Sequence, residues 1–294
     1  MLVKEVLERR FGASNICTEK LPWKRRRAYR GAIQARFYEH FFAQVGGGCS
    51  MNYSENHSEQ GIVADWSRLG ITWNVPPARR TPDVELLVIN SLDVVPANPR
   101  MLVLMASWLA IYWRCVGRDR LLSLARKTTP RRQATLGLLL ETVNGWEPVF
   151  GLMIRQLQPL ETGEPLLDHD RGQASLTRLA ELEASAISKR WGVWCQPIER
   201  RDNAIRPPSW VFRVNPSLRL CSLFKGSLKA SLLSAIAAKP GEFGITSLAT
   251  QCGVTRKAVY EAVDDLIFSE LVSKDKNVCT IAGVGMRTRE RISA

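Results

Sequence analysis

The residues best suited to chemistry lie near the carboxyl end, where Thr255, Arg256 and Lys257 are followed one helical turn later by Tyr260. Arginine and lysine donate hydrogen bonds to phosphates and to O6 and N7 of guanine, and a tyrosine can contact a phosphate or stack against a sugar. Other candidates are sparser. Asp168-His169-Asp170 sets a histidine between two carboxylates, which could ligate a metal. No second histidine stands near, so a polar loop is the better reading. His40 and His57 are isolated, and no serine sits in a Gly-x-Ser-x-Gly elbow. The seven cysteines (17, 49, 115, 195, 221, 252, 279) are odd in number and never spaced as C-x-x-C. That argues against a disulfide framework and against a zinc site. No cofactor, metal or catalytic residue is expected.

The elements that must position the cationic tip are legible around it. Residues 244–262 read GITSLATQCGVTRKAVYEA. Apolar Leu248, Cys252, Val254 and Val259, with small Ala262, suit two short helices packed across a tight corner. Ala249 lets the helices approach, and Gly253 can take the positive φ that the corner needs. Thr246 and Thr255 each stand where an N-cap belongs. Upstream, residues 228–236 have helical apolar spacing and stop at Pro240-Gly241. Downstream, Leu271-Val272-Ser273 and Val278-Cys279-Thr280-Ile281 read as strands joined by the polar turn Lys274-Asp275-Lys276-Asn277.

This order of three helices and a hairpin resembles the winged helix-turn-helix superfamily of bacterial DNA-binding proteins, over the last quarter of the chain alone. The resemblance implies that Thr255, Arg256, Lys257 and Tyr260 open a recognition helix in the major groove. It places Thr246 against a phosphate, and Lys274 and Lys276 on a wing that meets the backbone or the minor groove. Arg287, Arg289 and Arg291 would add non-specific affinity. Asp264, Asp265 and Glu270 follow the tip and soften its charge; a winged helix used for protein contact is the competing reading.

The rest of the chain is less specific. Residues 1–45 read as helical, with Lys24-Arg25-Arg26-Arg27, Arg30 and Arg36 on a basic face, and the stretch from Gly46-Gly47-Gly48 to Gln60 reads as a flexible connector. Asp83-Val84-Glu85 enters an apolar run, read as a strand. It resembles, incompletely, the strand on which nucleotidyltransferases hold magnesium between two carboxylates; the Gly-Ser turn of that family is absent. Helices are expected over 101–116, 118–127, 131–143, 146–158 and 174–191, with Trp66, Trp73, Trp108 and Trp113 in the core. Arg114, Arg118, Arg120, Arg126, Lys127, Arg131 and Arg132 meet only Asp119 nearby and form a second basic cluster. Residues 193–198 and 210–214 read as a β-hairpin, so the central block admits a second, diverged winged helix. A packed linker is expected over 215–227.

At 294 residues the chain can hold more than one domain. Lysine and arginine outnumber the acids 41 to 28, a net charge of +13 that favours an anionic partner. The amino-terminal MLVKEVLERR is charged from residue 4, so no signal peptide is expected. The expected fold is mainly α with short β-hairpins. It divides into a basic arm and connector (1–60), a central, mostly helical domain (61–225) and a winged helix-turn-helix (226–294). The expected function is sequence-specific binding of double-stranded DNA by a cytoplasmic homodimer, as a transcriptional repressor or an antitoxin-like autorepressor with a toxin or other protein partner. The alternatives are a replication initiator, or a nucleic-acid enzyme that docks through the winged helix. No membrane partner is expected.

Overall fold

Helices start where the chain offers a cap or a proline. The computed structural model describes residues 58–238, 244–269, 271–275 and 278–281, all within one compact unit. Ser58 caps α1 (Glu59–Arg68), accepting from the Gly61 N–H at 3.2 Å. Asp83 caps α2 (Val84–Ser91), Thr129 caps α5 (Pro130–Trp146) and Ser185 caps α9 (Ala186–Trp191). Prolines begin α3 (Pro99–Tyr112), α5, α10 (Pro208–Val214) and α11 (Pro216–Leu223). There the missing N–H costs nothing and φ is already set. Between these lie α4 (Arg118–Ala125), α6 (Gly151–Ile154), α7 (Asp168–Arg171) and α8 (Ala174–Glu183). The molecule is mainly helical, and no helix among the described residues is long and apolar enough to cross a membrane.

The core is built on α3, which is buried almost all round and packs on α5. Trp66 and Trp108 meet edge to face, 5.5 Å between ring centroids. Both indole N–H groups of this pair find an acceptor: Trp66 donates to Ser91 Oγ at 2.7 Å, and Trp108 to the Leu69 carbonyl at 2.9 Å. A buried tryptophan needs that satisfaction to realise the benefit of its apolar area. Trp73 and Trp113 are only half-buried.

Several expectations fail, for physical reasons. The run after Asp83 is a helix, not a strand, because Asp83 Oδ1 accepts from the Leu86 N–H at 3.0 Å and starts a turn. A short run apolar on every side carries no period to distinguish the two. Residues 210–214 belong to α10, started by Pro207-Pro208, so no hairpin forms there and the second winged helix falls. β2 (Val193–Trp194) instead pairs in parallel with β1 (Glu164–Pro165). The single helix expected over 174–191 breaks at Ala184-Ser185, where Ser185 caps the next segment. Residues 147–150 are not helical, so 146–158 is not one helix. The linker over 215–227 contains α11 and ends in two left-handed residues, Lys225 and Gly226.

The last quarter holds α12 (Leu228–Ala238), α13 (Ile245–Cys252), α14 (Arg256–Phe268) and an antiparallel pair, β3 (Val272–Asp275) with β4 (Val278–Ile281). Leu232, Leu233, Ile236, Leu248, Val259, Val263, Leu266, Val272 and Cys279 are among its buried apolar side chains. The basic segment over 1–45, the connector as far as residue 57, Pro240-Gly241, Lys276-Asn277, Glu270 and the tail arginines lie outside the described residues. Glu59 and Gln60, expected at the end of the connector, instead begin α1 because Ser58 caps it.

Candidate nucleic-acid interface

The corner before α14 is made by local chemistry. Gly253 sits at φ +65°, and the N–H of Val254 reaches back to the Ala249 carbonyl at 3.1 Å. This closes the end of α13 as a left-handed cap. A Cβ at Gly253 would meet nothing within 4 Å, so its φ alone favours glycine there. Ala249 is buried at the crossing. Thr255 then caps α14, its hydroxyl accepting from the Ala258 N–H at 3.3 Å. Thr246 does not cap α13: Gly244 holds that position and Thr246 is the second helical residue, exposed to solvent.

Thr255, Arg256, Lys257 and Tyr260 are all exposed, while Val259, Ala262, Val263 and Leu266 form the buried face of α14. Arg256 makes no ion pair among the described residues, and Lys257 comes only within 4.0 Å of Glu261. The first turn of α14 carries two cations and no acid. A helix start favours negative charge by a few tenths to about 1 kcal/mol, so this arrangement works against the helix and favours an anion from outside. Asp264 and Asp265 lie beyond, and Lys229 of α12 pairs with Asp265 at 2.6 Å. Lys274 lies in β3 opposite Cys279. Lys276 lies outside the described residues.

The other candidates resolve differently. Asp83 and Glu85 face Arg120, which donates to Asp83 Oδ2 at 2.5 Å and to Glu85 Oε2 at 2.9 Å. The Gly117 N–H donates to Glu85 Oε1 at 2.6 Å. Both carboxylates are therefore engaged as a structural tie, and the geometry of a metal-holding strand is absent from them. Burial, and then the charge of Asp83, lift the Glu85 carboxyl to about 7. One guanidinium shared by two acids leaves a buried surplus of negative charge, which a proton on Glu85 relieves. Burial alone would lower Arg120, but Asp83 and Glu85 outweigh it and hold the guanidinium above its usual range. The tie also reaches the corner. Burial raises the Cys252 thiol of α13 to about 11; Arg120 pulls it down while Asp83 and Glu85 push it up.

Asp168-His169-Asp170 forms the exposed single turn α7, where His169 pairs with Asp170 and Asp168 with Arg171. No group of three metal-ligating side chains gathers among the described residues. The basic cluster of 114–132 is largely engaged within the fold. Arg131 pairs with Glu164, Arg132 with Asp93, and Arg120 with the tie just described. Arg118 bonds the Val149 carbonyl and Arg126 bonds Gln156. These partners are 30 or more residues away in sequence. The one readable hint of them was Asp83-x-Glu85, whose spacing suggested a metal where the fold supplies an arginine.

Compared with protein-family models, curated proteins and solved structures, the chain matches none.

Proposed function

We propose that the chain binds double-stranded DNA sequence-specifically, with α12–α14 and the β3–β4 hairpin working as a winged helix-turn-helix. The single observation that carries this reading is the exposed, acid-free first turn of α14, set directly after the left-handed corner at Gly253. In this reading the amino end of α14 enters the major groove. Arg256 donates two hydrogen bonds to a guanine, Lys257 reaches a second base edge or a phosphate, and Tyr260 packs on the backbone. Thr246 donates its hydroxyl to a phosphate, and Lys274 and Lys276 follow the duplex from the hairpin. The regulatory reading is a repressor or antitoxin-like autorepressor that acts as a homodimer on a palindromic operator.

Selection of bound duplexes from a random pool, followed by titration of the winning site against salt, tests it. The expected outcome is a defined site. Arg256→Ala should then cost about 1–3 kcal/mol and relax preference at one position. A steep salt slope with no site preference would point to a coating protein instead.

A further inference from the structure

We propose that Arg79, Arg80, Arg206 and Arg213 form a second DNA-contacting strip, which binds phosphates of the duplex beside the site held by α14. The proposal rests on the reading of the last quarter as a DNA-binding element.

Residues 66–82 and 203–241 are two of the chain's stretches that carry basic residues and no acid. Residues 66–82 hold Arg68, Arg79 and Arg80; residues 203–241 hold Arg206, Arg213, Arg219, Lys225, Lys229 and Lys239. The fold brings them together. The Thr72 N–H donates to the Ala204 carbonyl at 2.8 Å, the Arg206 N–H donates to the Gly70 carbonyl at 2.7 Å, and Ile71 bridges Ile205. Further along, the Thr81 hydroxyl donates to Asn215 Oδ1 at 2.9 Å, and Arg68 donates to the Val214 carbonyl at 2.8 Å. Arg79 and Arg80 therefore lie just before a residue bonded to Asn215, and Arg213 lies two residues before that asparagine. Arg206 flanks the same pairing at Gly70.

All four arginines are exposed, and none makes an ion pair among the described residues. The neighbouring acids are already engaged: Asp202 with Arg200 at 2.6 Å, and Glu199 with Arg201 at 2.9 Å. Unopposed guanidinium groups held by a bonded backbone are a phosphate surface.

The chemistry of the strip selects duplex backbone over other polyanions. No large apolar side chain is exposed among residues 66–82 and 203–215, where the two stretches pair. Leu223, at the far end of α11, is exposed but lies beyond that pairing, so a protein partner finds no apolar anchor among the four arginines. Single strands are held by stacking bases on open aromatic faces. Here Trp210 already carries Arg206 at 5.9 Å, and nearby Trp73 carries Arg100 at 4.8 Å. The strip also joins the proposed DNA-binding element through the helices: α10 packs on α11, and α11 leads into α12 and packs on it.

The test uses the full chain and a mixed-sequence duplex of about 40 base pairs, titrated against salt. The fourfold variant Arg79→Ala, Arg80→Ala, Arg206→Ala and Arg213→Ala is compared with an equal charge loss at exposed Lys127, Arg155, Arg178 and Lys189. Far-ultraviolet circular dichroism and the melting temperature confirm that each variant folds. The strip variant should lose about one unit of log K against log salt for each contact removed, three to four in all, with the control changing by less than about one. Equal slopes in the two variants overturn the proposal, as does a loss confined to a single strand of the same length or to an acidic protein. Failure of the underlying reading looks different: the parent chain then shows no duplex binding, or Arg256→Ala with Lys257→Ala leaves site preference intact.

Discussion

Glu85 shows how one side chain links sequence to pH behaviour. Its carboxyl sits near 7 in the fold against an ordinary 4.5. A raised acid binds more protons folded than unfolded between those values. Stability from this group is therefore present below about 4.5 and is lost as pH rises through 7. The shift corresponds to roughly 3 kcal/mol at most. Asp65, lifted to about 6, acts with the same sign at lower pH. Chemical unfolding of the parent and of Glu85→Gln across this window should show the difference between them changing with pH; a constant offset would contradict it. Arg120→Met leaves buried Glu85 and half-buried Asp83 uncompensated and should destabilise by about 3–5 kcal/mol, most at alkaline pH. The same tie explains why Asp83 and Glu85 misled a reading from sequence. Two carboxylates one residue apart suggest a cation, and the cation proved to be a guanidinium from α4.

At the scale of the element, the corner between α13 and α14 was readable because all of its determinants are local. Gly253→Ala should cost about 1–2 kcal/mol, since an L side chain resists that φ, while Gly253→Asn should cost less. Thermal unfolding would rank the two, and equal losses would show that the backbone relaxes. Thr246 was misplaced as a cap because the preceding Gly244 serves equally well at that position. α8 makes a second point. Its leucines have helical spacing, yet Leu179 is 47 % and Leu182 is 69 % exposed. Leu179→Ala should stay within about 0.5 kcal/mol of the parent, against about 2–5 for Leu139→Ala in the core of α5. Periodicity identified an apolar face without saying whether anything covers it.

Across the whole molecule, the surplus of basic residues divides into those spent on the fold and those left outside. Arg120, Arg131 and Arg132 are engaged by acids distant in sequence. Arg79, Arg80, Arg206, Arg213 and Arg256 are exposed. If the chain acts as a homodimer, half-sites should repeat about 10 base pairs apart, or a multiple of that. Two chains should then bind per selected site, measured by sedimentation of the complex. One chain per site with full affinity would remove the dimer from the account.

What the sequence determined by itself was short-range: the helical character of most of the chain, the capping threonine at 255, the glycine corner and the exposed Thr-Arg-Lys start of α14. Each follows from contacts within one or two turns, where side-chain type and backbone preference act directly. Only the tertiary structure decided that the Asp83 run is a helix, that Arg120 pairs with both of its acids, and that residues 66–82 lie against 203–215. Those outcomes depend on which distant groups become neighbours, and burial sets the energy of a charge only after the chain has brought its partner into place.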